Sequence, residues 1–342
     1  MTSETHATVQ TPATDPAGTR RLATGWRGRL IIGASSVLAR LPERPLVAAA
    51  EAIGELWYRL DPRRAARTRL NLRRVAEHCA ATATGPVRVR RAATDPDALE
   101  RLVRAAFRHG VRYYLEVARV AAYDPISALA RIDFETPEAV EEALAGGPII
   151  LVGAHFGAIE MPVLYLVSRT GAKFTAPMET VSDPGLARWF AETRSRAGVR
   201  IVAIGDARRE LLASLKAGRS VGLVAERDLT GGGVPTPFFG HPAPIPVGPA
   251  LLAMETGARV FMASCRRTDG MRYRGRIFAI PAPSAGTRRE RMLALTAGIA
   301  AGMESVITDA PEQWWGAFHL IWRDLDPAAT TDPASSTPGD AA

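Results

Sequence analysis

His155 and Glu160 stand five residues apart in the stretch GAHFGAIE. Across a strand–loop–helix turn, a carboxylate at that spacing reaches back to one imidazole nitrogen. It fixes the tautomer and leaves the other nitrogen as a general base. The turn follows the apolar run Ile149–Val152, so the histidine is expected at the carboxyl end of a strand, where open α/β sheets place their sites. The same spacing recurs at His319 and Asp324 in HLIWRD. That pair lacks the strand and the glycines and reads as structural. Glu226, Arg227 and Asp228 leave a second apolar run, and charges at such a place must be paired or solvated in a cleft. Phe238, Phe239 and Gly240 in the following Gly/Pro-rich loop are expected to form an apolar wall beside them. Glu179, with Arg188, Arg194 and Arg196 on the next helix, is a fourth cluster, suited to a phosphate or a polar headgroup or to surface ion pairing. Gly218-Arg219-Ser220-Val221-Gly222 matches GxSxG, but a helix precedes it and a strand follows, the reverse of a nucleophile elbow. Phosphate-cradling glycine loops and His/Cys metal spacings are absent from the sequence.

The elements that must position these residues are legible in the hydrophobic periodicity. Residues 26–57 and 63–80 read as amphipathic helices broken at Pro42 and Pro45, 81–98 as a loop, and 99–122 as a further helix. From about residue 130 strands and helices alternate. Arg131–Phe134 is a strand, Pro137–Leu144 a helix capped by Thr136, and Ile149–Val152 a strand with a helix after Phe156. Lys173–Pro177, Arg200–Ala203 and Ser220–Ala225 are strands separated by helices Pro184–Ala197 and Ala207–Ala217, the latter stopped at Gly218. Residues 229–247 are a loop. Val247–Gly257 is a helix, Val260–Cys265 and Tyr273–Ala279 strands, and Arg288–Ala310 a helix. The fold class expected is α/β, a mixed central sheet flanked by helices, with an N-terminal helical section. The expected divisions are a tail at 1–20, a helical section at 21–125, an α/β core at 126–326 and a tail at 327–342.

Length and charge bound the function. The 342 residues carry 43 basic and 35 acidic groups, net +8, and 41 of the cations are arginine. Residues 1–120 are net +10 and the remainder net −2. Arg59, Arg63, Arg64, Arg67, Arg69, Arg73 and Arg74 interleave with Leu70, Leu72 and Val75, near Trp26, Trp57 and Tyr58. Cations with interfacial aromatics are what an anionic membrane surface attracts; a solvated basic face is the alternative. Nucleic acid is not expected as a partner, because no helix-turn-helix, RNA-recognition or zinc spacing accompanies the arginines. The apolar stretch Pro148–Val167 is long enough to span a bilayer, but His155 and Glu160 at its centre argue for a strand, a turn and a helix. Two isolated cysteines, Cys79 and Cys265, imply a reducing compartment.

Taken in order, these segments resemble a known family. HX4E at His155–Glu160, Glu179 with Arg194 fifteen residues on, AERDLTGGG, FFGHPAPIPVGPALLAMETGA and PEQWW are similar to the HtrB/LpxL-type acyltransferases over residues 25–325. The R-D-L and P-x-G-P-A-L-L-A runs are most like the phosphatidylinositol mannoside branch, whose members usually have Asp at the Glu160 position. The resemblance implies a membrane-associated, glycerolipid-acyltransferase-like α/β fold, peripheral on the cytoplasmic face of the plasma membrane. It implies acyl-CoA as co-substrate with no tightly bound cofactor or metal, and a mannolipid hydroxyl as acceptor. His155 is then the base and Glu160 its orienting partner. Glu179, Arg194, Glu226, Arg227 and Asp228 face the acceptor. Phe238, Phe239, Gly240 and the helix after Glu160 take the acyl donor, with backbone N–H groups near Gly157 or Arg227 receiving the oxyanion. The competing readings are a lipid A-type acyltransferase using acyl carrier protein, and a non-catalytic binder of anionic membrane or nucleic acid.

Overall fold

Proline and close backbone approach shape the helical section. The computed structural model describes residues 33, 37, 38, 40–120, 130–171, 173–179, 183–196 and 198–326. The expected tails, Trp26 and most of the first helix before residue 40 lie outside them. Helix α1 (Glu43–Leu60) begins behind Pro42, and α2 (Pro62–Ala81) follows almost at once, with Pro62 in its first turn and Asp61 accepting the Arg64 N–H. A short helix α3 (Val87–Arg91) interrupts the expected loop, and α4 (Pro96–Val120) is 25 residues long. Helix α1 lies tightly on α4 because Gly54 has no side chain; a Cβ there would sit 2.5 Å from the Arg108 Cα.

The alternating part follows the expected order closely. Strand β1 (Ile132–Phe134) leads to α5 (Pro137–Leu144), β2 (Ile149–Gly153), α6 (Met161–Thr170), β3 (Phe174–Met178), α7 (Pro184–Arg196) and β4 (Val199–Ala203). Then come α8 (Ala207–Lys216), β5 (Ser220–Val224), β6 (Gly233–Phe238), β7 (His241–Pro246), α9 (Gly248–Thr256), β8 (Arg259–Arg267), β9 (Tyr273–Ile280) and α10 (Arg288–Asp309). Seven strands form one mixed sheet in the order β1-β9-β8-β2-β5-β3-β4, parallel except where β9 runs against β8. Thr136 does not cap α5. Its hydroxyl instead donates to the Ile277 carbonyl and accepts the Ile277 N–H, tying β1 to β9. The loop expected at 229–247 contains the β6–β7 hairpin, closed by Phe239 and Gly240, both with positive φ (50° and 75°).

Strand β2 is buried on both faces, as an unbroken apolar run should be. Ile150 and Val152 join a core that also holds Val221, Leu72, Phe107, Ile299 and Trp314. Ile149 and Leu151 face the other way, into a smaller cluster with Leu166, Phe174, Phe261 and Ile277. Each such side chain contributes roughly 1.5–3 kcal/mol through burial. Among the described helices α10 is long and apolar enough to cross a membrane, but half of its apolar stretch is buried. Ile299, Met303 and Val306 pack it into the core. The stretch Pro148–Val167 forms the strand, turn and helix expected of it.

Candidate active site

Strand register brings the site together. Gly153 of β2 stands opposite Val224 of β5, so the residues two places beyond each strand end, His155 and Glu226, emerge side by side. The His155 Nδ1 lies 2.6 Å from Glu226 Oε1, and the His155 backbone N–H donates to the same oxygen at 3.0 Å. Glu226 is 2% exposed. Burial pushes its carboxyl up, but the charge of His155 and the two hydrogen bonds from it together outweigh that, and the group lies below its ordinary range. When the ring is neutral, an ionised Glu226 makes Nδ1 the protonated nitrogen and leaves Nε2 as the acceptor.

Glu226, not Glu160, is therefore the carboxylate on the imidazole. Glu160 lies at the start of α6, where it accepts from Arg194 Nη2 at 3.1 Å and from the Tyr113 hydroxyl at 3.3 Å. Glu179 correspondingly pairs with Arg227, at 2.9 Å, rather than with Arg194. Asp228 orders the glycine-rich loop by accepting the Thr230 and Gly233 N–H groups. The expected grouping is thus redistributed into three pairs, His155–Glu226, Glu160–Arg194 and Glu179–Arg227. No geometry for the Arg196 side chain is among the described residues.

Beside these pairs opens a cavity of about 500 Å³. Its lining includes His155, Glu160, Glu179, Arg194 and Arg227 at the polar end. Leu151, Gly153, Gly222, Ala176, Val199 and Ile201 line the sheet side, and Pro162, Val163 and Leu164 of α6 lie opposite. The volume exists because the sheet face is locally small. Leu151 stands opposite Gly222, and Ala176 opposite Ile201, along one row of the pleat. From β2 to β4 the groove crosses three strand spacings, about 14 Å at ~4.8 Å each. The helix after Glu160 thus lines the groove as expected. Phe238 and Phe239 do not. They are 0% and 1% exposed and pack with Trp314 and Trp322 in the core, because the hairpin turn folds them inward. Gly240 serves that turn and does not line the cavity.

Trp315 and Tyr113 line the cavity without any spacing signal, and His319, offered by the recurring spacing but read as structural, lines it too. Trp315 meets the His155 ring edge-on at 4.3 Å and stacks on Tyr113 at 4.3 Å. Burial, then the charge of Glu160, raises the Tyr113 hydroxyl well above its ordinary value, so it stays protonated and donates. His319 lines the cavity, and burial, then the charge of Arg227, lowers its pKa to about 4. Its sequence partner Asp324 pairs instead with Arg74, at 2.6 and 2.9 Å, which is the structural role expected of it. The signals for Tyr113 and Trp315 were the doublets RYY and QWW, which carry no spacing rule.

The turn after His155 is held by its backbone. Gly157 has φ 57°, and a Cβ on it would lie 2.0 Å from the Cys265 carbonyl oxygen. The Gly157 N–H donates to the Gln313 carbonyl and the Ala158 N–H to the Cys265 carbonyl. Both are spoken for, so neither is available to an oxyanion. Ser220, the serine of the GxSxG string, accepts the Ile149 N–H where β5 begins, at the other end of the strands from His155.

Comparison with known proteins identifies the family. The model of the bacterial lipid A biosynthesis acyltransferase family matches residues 19–323. The phosphatidylinositol mannoside acyltransferase of Mycolicibacterium smegmatis is 32% identical over 223 residues, covering 64% of this chain and 71% of that protein. The protein of the same name from Mycobacterium tuberculosis strain CDC 1551 is 30% identical over 232 residues, covering 66% and 69%. The chain is an acyltransferase, and it belongs to the bacterial lipid A biosynthesis acyltransferase family.

Proposed function

We propose that the protein transfers a fatty acyl chain from acyl-CoA to a sugar hydroxyl of a glycolipid, with a phosphatidylinositol mannoside as acceptor. The observation that carries this is the His155–Glu226 pair at the polar end of an apolar groove. His155 Nε2 takes the proton of the sugar hydroxyl as its oxygen attacks the thioester carbonyl. The C–S bond breaks, the ester forms, and the imidazolium returns the proton to the CoA sulfur. Glu226 holds the Nδ1 proton and stabilises the imidazolium. With the Gly157 and Ala158 amides engaged, Arg227 is the cation assigned to the developing oxyanion. Glu160, held by Arg194 and Tyr113, and Glu179 form the polar wall for the acceptor. The acyl chain lies in the groove under α6. The acceptor identity is supported by the names of the two mycobacterial relatives.

The basic helical section supports peripheral docking on the anionic cytoplasmic face of the plasma membrane. Ile53, Leu56 and Leu60 of α1 are 55%, 52% and 71% exposed and share one face of the helix. Exposed Arg59, Arg63 and Arg67 follow close by in sequence. The testing experiment incubates purified protein with labelled acyl-CoA and, in parallel, acyl carrier protein conjugate, against phosphatidylinositol mannosides and lipid A precursors. Acylation of the mannoside from acyl-CoA is expected. Preferential acylation of the lipid A precursor from the carrier protein replaces this reading with the lipid A-type one.

A further inference from the structure

The His155 turn is gripped from behind by groups that touch no part of the cavity. Arg267, the last residue of β8, donates Nη2–H to the Gly157 carbonyl at 2.9 Å. Its Nε and Nη2 also reach both oxygens of Glu116 on α4, at 2.6 and 2.7 Å. The two side chains are 0% and 6% exposed. Gln313 completes the grip. Its side chain accepts the Arg267 N–H at 2.7 Å and donates to the Arg267 carbonyl at 3.0 Å, while its own carbonyl accepts the Gly157 N–H. Phe156 and Trp314 meet as an isolated antiparallel bridge, and the Gly316 N–H donates to the His155 carbonyl. The N–H and the carbonyl of Gly157, and so the peptides on either side of it, are therefore tied to one network, drawn from the helical section, the sheet and the segment after α10.

Stability alone does not explain this choice. Taking an ion pair out of water costs much of what the attraction returns, and apolar residues of similar volume often serve as well. Arg267 Nη1 is buried without a hydrogen-bond partner among the described residues, a further cost. What the pair does provide is direction: a planar guanidinium fixed by a bidentate carboxylate points one N–H at one carbonyl. General-base chemistry depends on such placement, because small displacements of a reacting group lower the rate steeply.

We propose that Glu116, Arg267 and Gln313 are positioning residues for acyl transfer, a buried clamp that sets the place of His155 through the Gly157 peptide. This rests on His155 being the base. Two variants test it, with turnover measured per folded molecule. Glu116→Asp keeps both charges but shortens the arm that aims Arg267. The double variant E116L/R267M removes the charges and keeps the volume. The expected result is a tenfold or greater fall in kcat, with KM for acyl-CoA within twofold and the Tm of each folded variant close to that of the parent. Wild-type kcat in either folded variant overturns the clamp, as does a loss confined to KM. His155→Ala is the control that separates the two ideas. If it retains transfer, the reading of His155 as base fails; if it is inactive while E116L/R267M is fully active, the clamp alone fails.

Discussion

At the scale of single residues, the pairing of His155 with Glu226 makes a prediction that spacing alone inverts. Reading HX4E as the working pair makes Glu160 the partner whose loss is most damaging. The geometry gives that place to Glu226, whose one oxygen takes both the ring and the backbone N–H of His155. Glu226→Gln keeps the shape and removes the charge that holds the tautomer, so kcat should fall about 10²-fold or more. Glu160→Gln, which disturbs Arg194 and Tyr113, should act mainly on KM for the acceptor. Steady-state kinetics of the two variants decide between them. His319 supplies a second residue-scale expectation, in stability. The unfolded chain takes up its proton near pH 6.5 and the folded chain only near 4. Between those values acid favours the unfolded chain, so stability falls as pH drops from 6.5 to 4 and this loss stops below 4. Melting curves of His319→Gln should have a shallower acid slope over that window than the parent.

At the scale of elements, the groove follows from small residues on one face of β2, β5 and β3. Gly222 is its narrowest side chain on β5, and a Cβ there would meet Val163 Cγ2 at an easy 3.8 Å. Gly222→Leu should therefore fold and fill the groove between sheet and α6. Turnover with long-chain acyl-CoA should fall at least tenfold while short-chain donors keep theirs, as a chain-length series would read. These elements were largely legible beforehand. Alternating apolar runs and helix stops placed β2, β5, α5 and α10 to within a residue or two, because burial on both sides imposes its pattern locally. The β6–β7 hairpin was not legible, since its prolines alternate along the strands and mimic a loop. Nor was the His155–Glu226 contact. It depends on Gly153 standing opposite Val224, a register between strands 71 residues apart that no local spacing encodes. Phe238 and Phe239 misled for a related reason: apolar residues beside charges look like a wall, whereas a two-residue turn directed them into the core.

At the scale of the whole molecule, charge and exposed apolar surface coincide in the helical section, whereas the groove is lined mostly by the almost neutral α/β part, with Tyr113, Tyr114 and Val117 of α4 joining it. Residues 1–120 carry the net +10, and the same section exposes the Ile53–Leu56–Leu60 face of α1. Much of the charge is spent internally. Arg74 is held by Asp324 and Arg88 by Glu312, acids from beyond residue 120, so the surplus available to a membrane is smaller than the sequence total. Arg63 and Arg67 are exposed on α2, in the first turns after Leu60 ends α1. A cation near an anionic bilayer surface contributes about 1 kcal/mol. Replacing both by serine should weaken association with vesicles containing phosphatidylinositol by about 2 kcal/mol, roughly thirtyfold. Association with neutral vesicles, driven by the α1 face, should change little. The groove is untouched by these substitutions, so kcat on detergent-dispersed acceptor should stay at the parent value while turnover on vesicles drops with binding. Co-sedimentation and both assays, run at low and high salt, read the effect. Equal loss on vesicles and in detergent would mean that the arginines serve the fold and not the membrane.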